Sequence, residues 1–458
     1  MALGKRFEAF ALQSPVTVMV RGVLQYALSR ERLDELFRQH AEEQYEDALL
    51  FSTVVRTLAL AVCGVRKSVH AAYQACVEEF TVSVTSLYNK LQGTEIQVSR
   101  ALVRETAERL EPVISVLKAT LPAPLRGYRV KILDGNHLSG TQHRIKKTRT
   151  LNSSPLPGHA LVVLDPQRML AIDVFPCEDA YAQERSLSDD VLQTVQAGDV
   201  WMADRNFCTT RFLFGLRERD AYFVIREHAS TLSGKTPVGR RRRVGRSDTG
   251  TVYEQTLRIA NPKGDEVVEI RRTTVKLDHP MRDGDREINI LANLPKPVSA
   301  MKIAAAYRQR WTIENAFQEL GQALESEIDT LCYPKATLLC FCVALYTYNV
   351  MSVVKAALRA VHDEEAAVDR ISGYYLAEEV AAVYGGMMIA IPPRYWNQAF
   401  GLLTTRQMAN TLKALAGNVR LRQFRKHVRG PKKPPPKRHG GYREKHVSTA
   451  RLLEQRKR

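Results

Sequence analysis

The spacing of apolar residues predicts helices in the first quarter of the chain. Between residues 15 and 120, apolar side chains recur every three or four positions, most clearly in LLFSTVVRTLALAV and SVHAAYQACVEEF. Gly64 separates these two helices, and a third is expected to begin at Ser83 or Thr85 and to end at Gly93. Three short helices joined by tight turns are compatible with a helix-turn-helix DNA reader, although most such triplets bind nothing.

After Pro122 and Pro124 the pattern changes to strands and helices in mixed order. YRVKILDG, HALVVLDP and MLAIDVFP have the alternation or the β-branched content of strands. The segment ERSLSDDVLQTVQAG is predicted to be a helix closed by Gly198, and it is followed by the strand DVWMADR, another helix and the strand AYFVIRE. This order predicts an α/β fold with a mixed sheet rather than a strictly alternating, doubly wound one.

Between residues 227 and 297 the period-two pattern continues without helices. TVYEQTLRIA, EVVEIRRTTVKL and REINILANL are separated by turn-rich segments, which predicts a small all-β insertion. GRRRRVGR, in the same region, is a run of like charge that favours an exposed loop. Helices are expected to resume near Ala300 and to continue to about residue 428. The predicted regions are an N-terminal helical, DNA-binding candidate at 1–120, an α/β domain in two parts at 121–226 and 298–356, the β-rich insertion at 227–297, a C-terminal helical region at 357–430 and a basic tail at 431–458.

The composition is that of a globular protein with a large excess of positive charge. Of 458 residues, 45% are hydrophobic and 25% are charged, and the formal net charge is +18. This excess indicates a polyanionic partner, with nucleic acid as the first candidate and a solvated basic surface as the alternative. Residues 420–458 carry fifteen Lys and Arg against two Glu, a local charge of +13, and are rich in Pro and Gly. We expect this tail to be poorly ordered and to bind phosphates without reading sequence; a solvated appendage is the alternative.

Cysteine usage and hydropathy argue against a secreted or membrane protein. The seven cysteines include no C-x-x-C pair, which favours free thiols in a reducing compartment over disulfides or a zinc site. The first residues, MALGKRFEAFALQS, lack the apolar stretch of a signal peptide, so a cytoplasmic location is expected. Residues 336–354 carry no charge and are long enough to span a bilayer, but their Thr, Tyr, Ser and Asn349 side chains favour a buried core helix.

Two aspartates occupy positions where α/β sheets place functional groups. Asp134 follows the strand RVKIL and precedes Gly135, and Asp204 follows the strand DVWMA. Ligands of such sheets bind beyond the carboxyl ends of the strands. Two carboxylates on neighbouring strands would repel one another unless a cation lies between them. Hard oxygen ligands of this kind suit a two-metal phosphoryl-transfer site, although an Asp-Gly after a strand is more often a simple turn.

A third carboxylate is expected from AYRQRWTIENAFQEL, residues 305–319, which has the spacing of one helix. At about 100° per residue, Tyr307, Arg310 and Glu314 lie in one narrow stripe. The adjacent stripe is apolar and is the predicted core face: Ala306, Ile313, Phe317, Leu320 and Leu324. Arg310 and Glu314 are four residues apart, so a plain surface ion pair is the simplest interpretation. The two upstream aspartates favour Glu314 as a third metal ligand instead.

The order strand Asp, strand Asp, helix Glu resembles that of the DDE transposases, which have an RNase H-like fold. Tyr307, Arg310 and Glu314 match the spaced Tyr-Arg-Glu-Lys signature of the insertion-sequence-four family of bacterial transposases. DVWMADRNFCT resembles the second-aspartate region of that family, and the long interval from Asp204 to Glu314 leaves room for the β insertion those enzymes carry. The resemblance extends over roughly residues 125–350.

The resemblance implies cut-and-paste DNA transposition through a hairpin, in the bacterial cytoplasm at the nucleoid. Asp134, Asp204 and Glu314 would be the catalytic residues and would bind two Mg²⁺ ions, for which Mn²⁺ can substitute. The partners would be the double-stranded DNA of transposon ends and target, bound by a homodimer. The predicted DNA contacts are Tyr307, Arg310, Arg205, Arg240, Arg241, Arg242, Arg243, Lys432 and Lys433.

Two family features have no equivalent here, and two alternative functions stay open. Gly321 stands where the family has a lysine, seven positions after the glutamate, so that DNA contact cannot be carried over. No Trp lies between residues 227 and 297 to stack on a flipped base. One alternative is a non-transposing nuclease of the same fold. The other is a DNA-binding regulator that has lost catalysis, against which the three intact carboxylates argue.

Overall fold

The N-terminal region is helical, as its apolar spacing predicts. The computed structural model describes residues 4–44, 48–138, 145, 156–228, 232, 235–261, 267–281, 284–328, 331–362 and 371–426. The helices before the sheet are α1 (Lys5–Gln13), α2 (Pro15–Ala27), α3 (Arg30–His40), α4 (Phe51–Val62), α5 (Val69–Ala75), α6 (Val84–Gly93) and α7 (Ile96–Leu117). Ser83 is the N-cap of α6, because its hydroxyl accepts a hydrogen bond from the Ser86 amide.

A mixed sheet forms the centre of the fold. Its strands are β1 (Arg129–Leu138), β2 (Gly158–Asp165), β3 (Leu170–Cys177), β4 (Asp199–Ala203), β5 (Tyr222–Arg226), β6 (Thr236–Ser247), β7 (Gly250–Ala260), β8 (Val267–Leu277) and β9 (Glu287–Ala292). Among the described residues their order is β3-β2-β1-β4-β5-β9-β8-β7-β6. The first three strands form an antiparallel meander, and β4 and β5 run parallel to β1. This is the RNase H-like mixed sheet that the resemblance implies.

Helices cover both faces of the central strands because those strands are apolar on both sides. In β4, Val200 and Met202 face one core, and Trp201 and Ala203 face the other. The helices that follow β3 are α8 (Ser188–Leu192), α9 (Thr210–Arg217), α10 (Ala300–Arg308), α11 (Trp311–Ala323), α12 (Pro334–Val361), α13 (Gly373–Ala390), α14 (Pro393–Trp396) and α15 (Thr405–Ala416). The first core includes residues of α7 and α12, and the second includes residues of α8 and α9.

The predicted all-β insertion continues the central sheet. β9 pairs antiparallel with β5, and β8, β7 and β6 follow in antiparallel order. The prediction of an exposed loop at GRRRRVGR is wrong, because this segment lies within β6 and its backbone pairs with β7. Bulges between Val238 and Arg242 and between Arg243 and Gly245 interrupt the pairing. Charged side chains and bulges of this kind protect an edge strand from pairing with another chain.

The uncharged segment at 336–354 is a buried core helix, as predicted. It lies within α12, the helix of the described residues that is long and apolar enough to cross a membrane, and its most apolar window is entirely buried in the protein. Asn349, a polar residue of this segment, is hydrogen-bonded to the backbone of Ala171 in β3 through both its side-chain oxygen and its side-chain nitrogen. Its amide donates to the Ala171 carbonyl at 2.9 Å, and its oxygen accepts from the Ala171 amide at 2.7 Å. The helix is therefore locked against the sheet by a buried pair of hydrogen bonds.

The helix predicted for ERSLSDDVLQTVQAG is shorter than its pattern suggests. A 3₁₀ turn at Glu184–Leu187 leads into α8, which ends at Leu192, and the chain then turns into β4 through Gly198 at φ 80°. The carboxylate of Asp199 accepts a hydrogen bond from the Gln196 amide at 3.0 Å, which stabilises a turn where the helix was predicted to continue. Glu184 is the first residue of the 3₁₀ turn that opens this segment.

Candidate active site

The register of the sheet brings Asp134 and Asp204 side by side. The last pair of the parallel ladder between β1 and β4 is Leu133 with Ala203, so the two aspartates are the next residues on adjacent strands. β4 ends there, but β1 continues to Leu138, paired only with β2. The prediction that Asp134 lies at the end of its own strand is therefore wrong. It lies where the neighbouring strand ends, which opens space at the same edge.

Asp204 is held by the short turn that follows β4. Its carboxylate caps the 3₁₀ helix Arg205–Phe207 by accepting a hydrogen bond from the Asn206 amide at 2.8 Å. The predicted DNA contact Arg205 is half exposed and lies 4.0 Å from the carboxylate of Asp285. One oxygen of Asp204 is thus fixed by the turn, and both aspartates are partly exposed.

The segment at 305–319 forms two helices, so the prediction of one continuous helix is wrong. α10 ends at Arg308 and α11 begins at Trp311. At the junction the amides of Gln309 and Arg310 donate to carbonyls three residues back, at 2.9 and 3.0 Å. This 3₁₀ tightening turns the chain between the two helices. It also carries Arg310 into the interior instead of leaving it on a regular helix face.

Arg310 joins two of the three predicted catalytic carboxylates. Its Nη1 donates to Asp134 Oδ2 and its Nη2 to Glu314 Oε1, both at 2.6 Å. Only 8% of Arg310 is exposed, and Tyr307, one turn before it, is exposed by 7%. The surface ion pair suggested by the sequence therefore exists, but it is buried and shared with a strand residue. Burial makes such charge-assisted bonds stronger than their exposed equivalents.

The pKa values of both Tyr307 and Asp134 are raised, so each side chain holds its proton more tightly than it would in water. Burial raises the pKa of Asp134 to about 7, with contributions in the same direction from Asp204 and Glu184, while Arg310 opposes the shift. Burial likewise raises the pKa of Tyr307 to about 12, again against the effect of Arg310. The pKa of Arg310 is raised although burial opposes it, because Tyr307 and the two carboxylates outweigh burial. Asp134 is thus a carboxylate whose negative charge is only partly compensated.

Glu184 belongs to the site although nothing in the sequence distinguished it. Its Oε2 accepts a hydrogen bond from the Asn206 side chain at 3.1 Å, and its Oε1 lies 3.9 Å from His137 Nδ1. Glu184 also fills the space beside Gly135, where an added Cβ would overlap its carboxylate. The only signal in the sequence was its position in the connection between β3 and β4, which is too general to single out one residue.

The donor atoms fit a hard divalent cation, but their present arrangement does not form a closed metal site. Within the described ranges no group of three or more His, Cys, Asp or Glu side chains is placed to hold a metal. Asp134 Oδ2 and Glu314 Oε1 are both bonded to the guanidinium of Arg310. Carboxylate oxygens are nevertheless the ligands that Mg²⁺ and Mn²⁺ prefer. Asp134 and Asp204, which are neighbours by sheet register, would be the first oxygen donors for such a cation, with Asp134 Oδ2 also bonded to Arg310.

The basic residues predicted to bind DNA are not gathered at the carboxylates. On β6, Arg240, Arg242 and Arg243 are exposed, while Arg241 is half-buried over the ring of Tyr253, 4.2 Å from its centre. β6 is the edge strand opposite β3, several strands away from β1 and β4. The tail residues Lys432 and Lys433 lie outside the described residues, as does the whole of 431–458. Of the predicted contacts that lie within the described residues, Tyr307, Arg310 and Arg205 adjoin the carboxylates.

Comparison with known proteins connects this site to one family. Residues 125–346 match the family described as Transposase DDE domain. A Sinorhizobium fredii protein named "Putative transposase y4zB" is 35% identical over 134 residues, which is 29% of this chain and 35% of that protein. The chain thus matches about a third of the length of this curated relative. A solved structure of the piggyBac transposase in a synaptic complex with hairpin DNA aligns over 87% of this chain and 84% of that chain, at a TM-score of 0.36 and 9% identity.

The family match spans the elements that build the site. It begins just before β1, which carries Asp134, and ends within α12, so it includes the turn of Asp204 and the helix of Glu314. The segments outside it are the N-terminal helices and the C-terminal region. Residues 125–346 of this chain are therefore a transposase DDE domain.

Proposed function

We propose that the chain is the transposase of a bacterial insertion sequence of the insertion-sequence-four type, which binds transposon-end DNA and catalyses strand cleavage and strand transfer. The observation that carries the proposal is the convergence of Asp134, Asp204 and Glu314 within the DDE domain. The two aspartates are adjacent by sheet register, and Glu314 is linked to Asp134 through one guanidinium. An inert DNA-binding protein would have no need to keep three carboxylates at this edge.

Asp134, Asp204 and Glu314 would hold Mg²⁺, which supplies Lewis-acid stabilisation of the phosphoryl group and a more acidic water or 3′-hydroxyl. The carboxylates of Asp134 and Asp204 are neighbours by sheet register. Asp134 Oδ2 and Glu314 Oε1 are both bonded to Arg310, and both would become available when Arg310 releases them. The protein therefore contributes oxygen donors on three separate elements, whose positions are set by the sheet and by α11.

Arg310 and Tyr307 would hold a phosphate of the DNA end. The planar guanidinium of Arg310 binds two carboxylates with two separate nitrogens, at 2.6 Å each. The same planar fork suits two oxygens of one phosphate. A phosphate that enters this position can take the place of the carboxylates, and Tyr307 can donate its phenolic hydrogen because its raised pKa keeps it protonated. Arg310 would thus release the carboxylates of Asp134 and Glu314 and bind a phosphate of the substrate DNA in their place.

The basic surfaces would add affinity without reading sequence. The exposed arginines of β6 and the +13 charge of residues 420–458 can neutralise phosphates of transposon-end and target DNA. We further propose that two copies of the chain assemble on paired DNA ends in the bacterial cytoplasm. Cleavage through a hairpin belongs to this proposal.

The test is cleavage of a labelled duplex taken from the inverted repeat that flanks the gene. Asp134→Asn, Asp204→Asn and Glu314→Gln should each reduce Mg²⁺-dependent cleavage by a factor of roughly 10² or more while DNA binding persists. Asp189→Asn is the matched control, because Asp189 lies on α8 in an exposed ion pair with Arg211. Cleavage near the wild-type rate by Glu314→Gln would refute the assignment of α11. Cleavage without any strand joining would favour a nuclease.

A further inference from the structure

We propose that Glu184 is a positioning residue of the active site, which holds the Asp204 turn against the Asp134 strand and adds negative charge where a divalent cation binds. This inference rests on the proposed function, because it assigns Glu184 to the same metal site. Glu184 is not a member of the Asp-Asp-Glu set, and it comes from a fourth element, the 3₁₀ turn between β3 and α8.

The first observation is a chain of hydrogen bonds from Glu184 to Asp204. Glu184 Oε2 accepts from the side-chain nitrogen of Asn206 at 3.1 Å. The backbone amide of the same Asn206 donates to Asp204 Oδ1 at 2.8 Å. Asn206 is therefore held at both ends, and the orientation of the Asp204 carboxylate depends on the position of Glu184. Partners of this kind orient metal ligands in other proteins.

The second observation is the absence of a side chain at Gly135, directly after Asp134. A Cβ built at this position would overlap the carboxylate of Glu184. Gly135 lies inside β1, paired with Leu161, and its backbone has no positive φ, so conformation does not require glycine there. The Glu184 carboxylate packs directly on the backbone of β1 beside Asp134, where glycine permits a close approach and a larger residue would make the end of the Glu184 side chain shift.

The third observation concerns charge. The Glu184 side chain is only 14% exposed, and His137 on β1 lies 3.9 Å away. The Glu184 carboxylate lies against Gly135, the residue after Asp134. It is hydrogen-bonded to Asn206 in the turn that holds Asp204. Carboxylates from three elements thus come to one edge of the sheet, and a divalent cation there would reduce their mutual repulsion. A side chain with a purely structural role would only need its hydrogen bond to Asn206, which a glutamine can also accept.

Binding of Mn²⁺ to the metal-free full-length chain tests these roles separately. The concentration of free Mn²⁺ is followed by its electron paramagnetic resonance signal, without DNA and without catalysis. Glu184→Gln keeps the hydrogen-bond acceptor and removes the charge, and it should weaken Mn²⁺ binding roughly tenfold. Glu184→Ala removes both and should weaken binding further. Glu178→Gln, an exposed acidic residue in the same connection, should remain within about twofold of the wild type.

Asn206→Ala is the second variant and leaves every carboxylate in place. If Glu184 positions Asp204 through Asn206, this variant should weaken Mn²⁺ binding by a few-fold, with an unchanged urea midpoint showing that it folds. Wild-type Mn²⁺ affinity in folded Glu184→Gln would overturn the charge role, and wild-type affinity in Asn206→Ala would overturn the positioning role. If Glu184→Gln does not fold, the Mn²⁺ affinity of Asn206→Ala tests the proposal by itself. Asp204→Asn separates the two proposals, because unchanged Mn²⁺ binding in that variant would refute the metal site itself.

Discussion

Arg310 and the arginines of β6 are the same side chain in opposite surroundings. Arg310 is 8% exposed and bonds two carboxylates at 2.6 Å, whereas the Arg242 side chain is 75% exposed and meets Glu254 at 3.4 Å. An exposed pair such as the latter contributes about 0–1 kcal/mol and leaves the cation available to a polyanion. Removing one partner from a buried pair costs several kcal/mol, because the other charge is left uncompensated. Burial therefore decides whether an arginine serves the protein's own carboxylates or an external ligand.

The largest expected difference is in stability. Arg310→Ala leaves Asp134 and Glu314 without their shared cation, so the free energy of unfolding at pH 7 should fall by about 3 kcal/mol. Arg242→Ala removes an exposed pair and should change it by less than about 0.5 kcal/mol. Urea denaturation of the metal-free protein measures both values.

The variant Arg310→Lys sharpens this comparison. Lysine keeps the charge but cannot present two nitrogens of one plane to two carboxylates, so stability should be intermediate between those of wild type and Arg310→Ala. Equal effects of Arg310→Ala and Arg242→Ala would mean that burial does not distinguish the two arginines.

The second expected effect is a pH dependence of stability, which the buried Asp134 should produce and the exposed arginines of β6 should not. The pKa of Asp134 is about 7 in the folded chain and near 3.8 ordinarily, so the folded state holds this proton more tightly. Its contribution to stability is therefore complete below pH 4 and is lost as the pH rises through about 7. Asp134→Asn cannot titrate at this position. Its stability relative to wild type should therefore rise by about 2 kcal/mol between pH 5 and pH 8.

Urea midpoints of the metal-free wild type and of Asp134→Asn at several pH values provide the measurement. The sign of the trend is the decisive result, because a salt bridge that simply lowered the pKa of Asp134 would give the opposite slope. A stability difference that stays constant from pH 5 to pH 8 would show that burial and the neighbouring carboxylates do not control this group.

The third expected effect is on DNA binding by the exposed arginines of β6. Replacing Arg240, Arg242 and Arg243 together by Gln should weaken DNA binding by about tenfold near 0.1 M salt and flatten the plot of log K against log salt. The slope should change by up to about 0.9 for every phosphate that these arginines no longer neutralise. Replacing the same three residues by Lys keeps the charge and should preserve the slope. If the Gln and Lys variants bind DNA alike, β6 does not bind phosphates.

The smallest effect is expected at Gly321, on the exposed side of the helix that carries Glu314. A Cβ at Gly321 would meet no atom within 4 Å. Gly321→Ala should raise the free energy of unfolding by about 0.5–1 kcal/mol through helix propensity alone. Gly321→Lys should give a similar gain and, if the family's lysine contact can form here, tighter DNA binding as well. Tighter binding by both variants would show that helix stability, not the new charge, is responsible.

The two groups of arginines also show which features could be predicted from the sequence and which could not. The order and type of most elements were predicted, because apolar spacing reports directly which side of an element faces the core. The three carboxylates predicted to be catalytic all lie within the family match, and their catalytic role stays a prediction. Local patterns failed where a specific contact competes with the propensity of a segment. α8 ends before a turn in which Asp199 accepts a hydrogen bond from the Gln196 amide, and pairing with β7 places the arginine run in a strand.

The candidate active site shows the same difference between what the sequence predicts and what only the structure shows. Sequence spacing placed Tyr307, Arg310 and Glu314 in one row, but it could not show that Arg310 points inward to Asp134, 176 residues away in the chain. Glu184 carried no signal in the sequence because its role depends on Gly135 and Asn206, which come near it only through strand register and turn geometry.

By itself the sequence determined the periodicities, the two strand aspartates, the helix glutamate and the positive charge, because each depends on residue type and on neighbours within a few positions. Tertiary structure alone decided which strands are adjacent, where β4 ends beside β1, and which charges are buried. Those features depend on packing between distant segments, and burial changes the energy of a charge far more than local sequence does. Whether Arg310 is a surface residue or the centre of the carboxylate cluster was therefore settled only when α11 packed against the sheet.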